Sequence, residues 1–113
     1  QMFACKKIKQ EELIRCSFGL NKTEYNVLMY LLKRDGMFTV SGIAKEMGLE
    51  RTTVQKAIKG ILNKRLVKRM QKNLSRGGYM FFYKVENKEY IKNEMKRIVS
   101  EWYTAVMERI DEL

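Results

Sequence analysis

Apolar residues recur every three or four positions through most of this chain, and two short stretches replace that rhythm with a strand-like one. Leu20-Asn21-Lys22-Thr23-Glu24-Tyr25 reads as a helix start. Asn21 can cap it, Glu24 falls at the third helical position to complete a capping box, and Leu20 and Tyr25 are spaced as a hydrophobic staple. Leu28, Leu31 and Leu32 continue its apolar face, and Asp35-Gly36 supplies the stop. Phe38-Thr39-Val40 is a short extended piece, after which Ile43, Ala44 and Met47 mark a helix of about two turns ended by Gly48. Gly48 to Glu50 is the whole link to the next helix, predicted over 51–63. There Val54, Ala57, Ile58, Ile61 and Leu62 fall on one side, leaving Arg51, Thr52, Thr53, Gln55, Lys56, Lys59, Gly60 and Asn63 on the other.

Residues 66–70 and 79–85 are rich in aromatic and aliphatic strand formers, and the polar, basic, Gly-ended segment 71–78 between them predicts a hairpin with a long loop. Asn87 or Lys88 then opens a helix that runs nearly to Leu113 with no Pro or Gly to interrupt it. It carries Ile91, Met95, Ile98, Val99, Trp102, Val106, Ile110 and Leu113 on a broad stripe. At about 1.5 Å per residue it is roughly 39 Å long, more than a domain of this size covers by itself. Met2 to Cys16 reads as a further, less regular helix with Phe3, Ile8, Leu13 and Ile14. A two-fold dimer in which terminal helices of both chains pack together accounts for the stripe; folding the last helix back over its own domain is the alternative. The expected seam is Ile91, Met95, Ile98, Trp102, Val106 and Ile110.

Charge changes this picture more than composition does. Of 23 Lys and Arg against 13 Asp and Glu, residues 51–84 hold ten cations and not one acid, a local excess equal to the net +10 of the whole chain. Solvated faces mix the two signs, as residues 85–113 do, so a one-sided block calls for a polyanion. A helix buried on one side and displaying Arg, Thr, Gln and Lys on the other has the side chains to meet phosphates and base edges together. The chain has no His, which removes the commonest general base and metal ligand. No constellation of base, nucleophile or ligands suggests an enzyme, and no catalytic residue, metal or cofactor is expected. The 113 residues suit one compact domain, and no apolar run predicts a membrane span or signal peptide, so a soluble cytoplasmic protein is expected.

The segments 39–49 (Thr-Val-Ser-Gly-Ile-Ala-Lys-Glu-Met-Gly-Leu) and 51–62 (Arg-Thr-Thr-Val-Gln-Lys-Ala-Ile-Lys-Gly-Ile-Leu), with Leu66-Val67 leading into the hairpin, resemble the winged helix-turn-helix regulators of the TrmB-like and MarR-like superfamily, especially the small stand-alone archaeal type. The resemblance covers about residues 18–85 by motif and the flanking helices by layout. It implies a mainly α fold with a small β-hairpin wing: an N-terminal helical extension (1–17), a DNA-binding domain (18–86) and a C-terminal dimerisation helix (87–113). Arg51, Thr52, Thr53, Gln55, Lys56 and Lys59 would then enter the major groove of double-stranded DNA. Lys72, Asn73, Ser75 and Arg76 on the wing would meet phosphates or the adjacent minor groove. Lys64, Lys68 and Arg69 would be backbone clamps or solvated.

Three positions depart from the family pattern, in which an acid often stands at Gly42, a Ser-like cap at Glu50 and a Gly at Arg65. Glu50 caps poorly, so the recognition helix could start at Thr52 with Gln55 closing a capping box, and Arg65 would need a positive φ or a shifted turn. The function implied is a sequence-specific transcriptional regulator acting as a homodimer. An architectural DNA coater would use the same charges without base selectivity, and an RNA- or protein-binding winged helix would dispense with the base-reading face. Cys5 and Cys16, about 16 Å apart on one face of a continuous helix, are small apolar residues near the seam or a thiol switch between subunits. Trp102, Tyr103 and the methionines serve packing or line an effector pocket of unknown specificity.

Overall fold

A computed structural model describes residues 7–113. Five helices and one hairpin follow in the order α1 (Gln10–Phe18), α2 (Lys22–Leu32), α3 (Val40–Met47), α4 (Arg51–Asn63), β1 (Val67–Asn73), β2 (Tyr79–Val85) and α5 (Lys88–Asp111).

Local chemistry explains most of the boundaries. The Asn21 side chain accepts from Glu24 N at 2.8 Å while Glu24 Oε1 accepts from Asn21 N at 2.9 Å, so the expected capping box starts α2. Thr39 Oγ1 accepts from Gly42 N at 3.0 Å and caps α3, which therefore takes Val40 into its first turn. Of the expected extended piece only Phe38 remains: its N–H and carbonyl pair with those of Tyr83, as a third strand reduced to one bridge. Gly48, in the left-handed region at φ 66°, ends α3. Asn87 Oδ1 accepts from Glu89 N and Tyr90 N to start α5.

Two expectations need correction here. The helix expected over Met2 to Cys16 does not run unbroken: among the described residues it begins at Gln10, because Lys9 is extended. Lys7 and Lys9 oppose the positive end of a helix dipole, whereas Glu11 and Glu12 favour a first turn beginning at Gln10. Residues 1–6, Phe3 and Cys5 among them, lie outside the described residues; Cys16 is exposed on α1 with a free thiol. The recognition helix begins at Arg51 with Glu50 as its N-cap, and no Thr52–Gln55 capping box forms.

The core joins all the helices: Ile14 of α1, Val27, Leu28 and Leu31 of α2, Ile43 of α3, Val54, Ile58 and Ile61 of α4, Leu66 and Tyr83 at the hairpin base, and Ile91 of α5. Gly60 is what lets α2 and α4 meet closely, because a Cβ there would run into the Glu24 carboxylate. That carboxylate is fixed by the capping box and by Lys64, whose Nζ lies 3.8 Å from Glu24 Oε1 and donates to Gly19 O at 2.7 Å. Arg65 adopts φ 61°, the positive value its position demanded, and its N–H donates to Leu62 O as α4 turns into β1. Tyr30, buried and donating to Glu46 Oε1, has its hydroxyl pKa raised, mainly by burial and further by that carboxylate.

The hairpin and α5 leave this core. The strands pair antiparallel from Val67↔Val85 to Asn73↔Tyr79, so Gln71, Lys72 and Asn73 belong to β1 and only 74–78 forms the wing loop. Their partners Phe81, Met80 and Tyr79 draw these polar residues into the ladder. The α5 helix spans 24 residues, about 36 Å. The molecule measures 67 × 24 × 21 Å with a radius of gyration of 17.4 Å, against about 13 Å for a compact chain of this length.

Candidate nucleic-acid interface

The helix-turn-helix is held by its glycine turn. Leu49 N donates to Ala44 O at 2.9 Å past Gly48, and extended Glu50 turns the chain into α4. Val54, Ala57, Ile58 and Ile61 bury one side of α4. Arg51, Thr52, Gln55, Lys56, Lys59 and Asn63 are exposed on the other, with Thr53 half-buried. The expected base-facing set therefore shares one surface.

Beside that surface runs an open groove lined by Asn21, Thr23, Thr53, Lys56, Lys59 and Asn63, with the Glu24 carboxylate at its wall beside Gly60. Sequence reasoning did not assign Asn21, Thr23 or Asn63 to a site. Asn21 was recognisable as a cap, but its place next to α4 depends on the close approach at Gly60. On the wing, Lys72 and Asn73 stand on β1, Ser75 and Arg76 in the loop, and all four are exposed.

Eight of the ten cations of 51–84 fall into two groups. Lys64 is spent on Gly19 and Glu24, Lys68 pairs with Glu86 at 3.1 Å, Arg69 stacks over Phe81 at 4.3 Å and Lys72 sits 5.2 Å from the Phe82 ring. Lys64 is thus a strut between helices instead of a clamp on a ligand. Among the described residues, none offers an ion-pair or hydrogen-bond partner to the side chains of Arg51, Lys56, Lys59 or Arg76. Three cations on the exposed side of α4 and one in the wing loop, with no carboxylate in their stretch of sequence, form a positive field open to an anionic partner.

The expected seam residues part company along α5. Ile91 is 5% exposed and belongs to this chain's own core, and Met95 is half-buried against it, so neither offers the free face expected of it. The physical reason is the packing of α1 against α5, which draws Ile91 into the core cluster. Ile98 and Val106 are half-buried, Trp102 and Ile110 are 57% and 52% exposed, and Val99, Tyr103, Met107 and Leu113 extend the uncovered apolar face. Polar flanks here are self-neutralised: Arg97 binds Glu94 at 3.0 Å and Glu101 at 2.7 Å, which lowers the Glu94 pKa.

Among the described residues no cluster of His, Cys, Asp and Glu could hold a metal, and no helix is long and apolar enough to cross a membrane.

Residues 14–98 match the family of sugar-specific transcriptional regulators TrmB. The chain belongs to the TrmB family. A relative from Methanocaldococcus jannaschii, the uncharacterized protein MJ1503, is 32% identical over 103 residues, 91% of this chain and 77% of its own length. The structure of a possible transcriptional regulator from Methanosarcina mazei superposes with a TM-score of 0.89 at 33% identity, over 99% of this chain and 94% of that one. The S. aureus MepR–DNA complex gives 0.59 at 18% identity, over 90% and 83%, and shows the shared winged-helix fold. The TrmB chain is thus a winged-helix protein of a transcription-regulator family with archaeal relatives.

Proposed function

We propose that this chain is a sequence-specific regulator that binds double-stranded DNA in the cytoplasm as a two-fold homodimer. The observation that carries the reading is the α4 surface, where Arg51, Lys56 and Lys59 stand unpaired beside Thr52, Thr53 and Gln55. Cations supply affinity for the phosphates, while Arg and Gln can bond bidentately to base edges and Thr can meet a thymine methyl. In this reading α4 enters the major groove and Lys72, Asn73, Ser75 and Arg76 hold the backbone or the minor groove. MepR, which shares the fold, is solved bound to DNA.

The assembly follows from α5. Ile98, Trp102, Val106 and Ile110, with Val99, Tyr103, Met107 and Leu113, leave an apolar face that water covers at a cost of about 25 cal/mol per Å². A second copy of the same face covers it symmetrically and closes the assembly. Two recognition helices then present themselves to half-sites about 34 Å, or 10 to 11 base pairs, apart.

Selection of bound sites from a random duplex pool tests this directly. The expected product is an inverted repeat, and inserting about 5 base pairs between its halves turns one half-site away and lowers affinity steeply. A pool with no repeat, bound without regard to spacing, would make the protein a DNA coater.

A further inference from the structure

We propose that the end of the wing is an apolar wedge: Leu74, with exposed Tyr79 and Met80 beside it on the two faces of the hairpin, enters the minor groove and opens a base step, so that binding bends the DNA. The inference rests on the duplex-DNA reading above and adds to it a residue that gripping phosphates does not need.

From Gln71 to Met80 every residue of the wing is exposed. A tip that only held phosphates would need cations and small polar groups. This one also shows Leu74 at 45%, Tyr79 at 57% and Met80 at 41% exposure. Tyr79 is steadied by an edge contact to Phe81, ring centroids 5.3 Å apart. The loop itself is slim and closed: Leu74 N donates to Gly78 O at 3.0 Å, Gly77 N donates to Leu74 O at 3.1 Å, and Ser75, Gly77 and Gly78 add little width. Gly77 and Gly78 hold φ of 92° and 78°, and a Cβ at either would meet nothing within 4 Å. Paired strands are about 4.8 Å apart, within reach of a minor groove about 6 Å wide that widens when a step opens.

Charge selects the occupant. Arg76 in the loop and Lys72, paired across the hairpin from Met80, flank the apolar side chains, with no carboxylate between 51 and 84. A protein surface of mixed sign leaves such a rim unmatched, whereas two rows of phosphates flanking an apolar base stack match both parts. Inserted Leu and Met side chains unstack and kink duplexes, most readily at pyrimidine–purine steps.

The test uses duplexes of about 30 base pairs, dye-labelled at both ends, with energy transfer reporting the end-to-end distance. The unmutated chain should shorten that distance. Leu74→Ser should lose most of the bend and about tenfold in affinity while keeping the slope of affinity against salt, since no phosphate contact is removed. Arg76→Ala should do the reverse, lowering the slope by about 1 and leaving the bend. Leu74→Phe should keep it. Because Leu74 is exposed, the circular dichroism of each variant should superpose on that of the unmutated chain. Tight binding without a bend, or a Leu74→Ser protein that bends DNA as the unmutated one does, overturns the wedge and turns the tip into a protein contact. An unmutated chain that binds no duplex at all removes the DNA reading, and the wedge with it.

Discussion

Two regions of this molecule carry unmet demands of opposite kinds. On α4 the apolar residues are buried and charge is left over, and the wing adds a further cation beside its exposed apolar tip: Arg51, Lys56, Lys59 and Arg76 have no partner among the described residues. On α5 the charge is settled within the helix, by Lys92–Glu89, Arg97–Glu94–Glu101 and Arg109–Glu112, and apolar surface is left over instead. Unbalanced charge acts over several ångströms and suits a mobile, salt-sensitive partner. Uncovered apolar surface acts only on contact and suits a permanent one. One small fold thus separates reading from assembly by the kind of surface it leaves incomplete.

Trp102→Glu breaks the assembly half of the contrast and should have the largest effect. A charge forced into the apolar seam should weaken self-association by more than about 100-fold, measured by analytical ultracentrifugation. Helicity should persist at concentrations where the variant is monomeric, because Trp102 is already 57% exposed in the single chain. A folded monomer from the unmutated protein would sink the dimer.

A smaller effect separates reading from gripping within the basic region. Gln55→Ala should change the ranking of duplex sequences by about tenfold at the base pairs it meets. Lys72→Ala with Arg76→Ala should weaken all sequences alike. If Gln55→Ala also acts uniformly on every sequence, α4 grips without reading.

The smallest effect concerns the joint that seats α4. An exposed helical Gly→Ala change usually stabilises by about 1 kcal/mol. Gly60→Ala should give no such gain, because its Cβ displaces the Glu24 carboxylate from the capping box. In a Glu24→Ala background the same change should recover about 1 kcal/mol in denaturant unfolding. Equal effects in both backgrounds would show that the carboxylate moves aside freely.

Features set by neighbours in sequence were readable in advance. The Asn21–Glu24 box and the stop at Gly48 each follow from a few adjacent residues, while the family pattern left Arg65 a positive φ or a shifted turn, and it takes the positive φ. The acid-free stretch is visible in the sequence itself, as is the stripe of α5. What escaped depends on contacts across the fold. The apolar spacing of α5 assigned Ile91 to a partner, yet the chain's own core, with α1 packed against α5, claims it first. The polar character of 71–73 suggested loop, but three aromatic and aliphatic partners on β2 carry the ladder onward. Lys64 looked like a free cation and is a strut, because Gly19 O lies 45 residues away in sequence and 2.7 Å away in space.

The most direct test of duplex binding through this acid-free surface is the affinity of the unmutated protein for duplex DNA across about 50 to 200 mM salt. The expected plot of log affinity against log salt is linear with a slope of about −4 or steeper, as two sets of unpaired cations release condensed counterions. An affinity that stays flat over that range would contradict it.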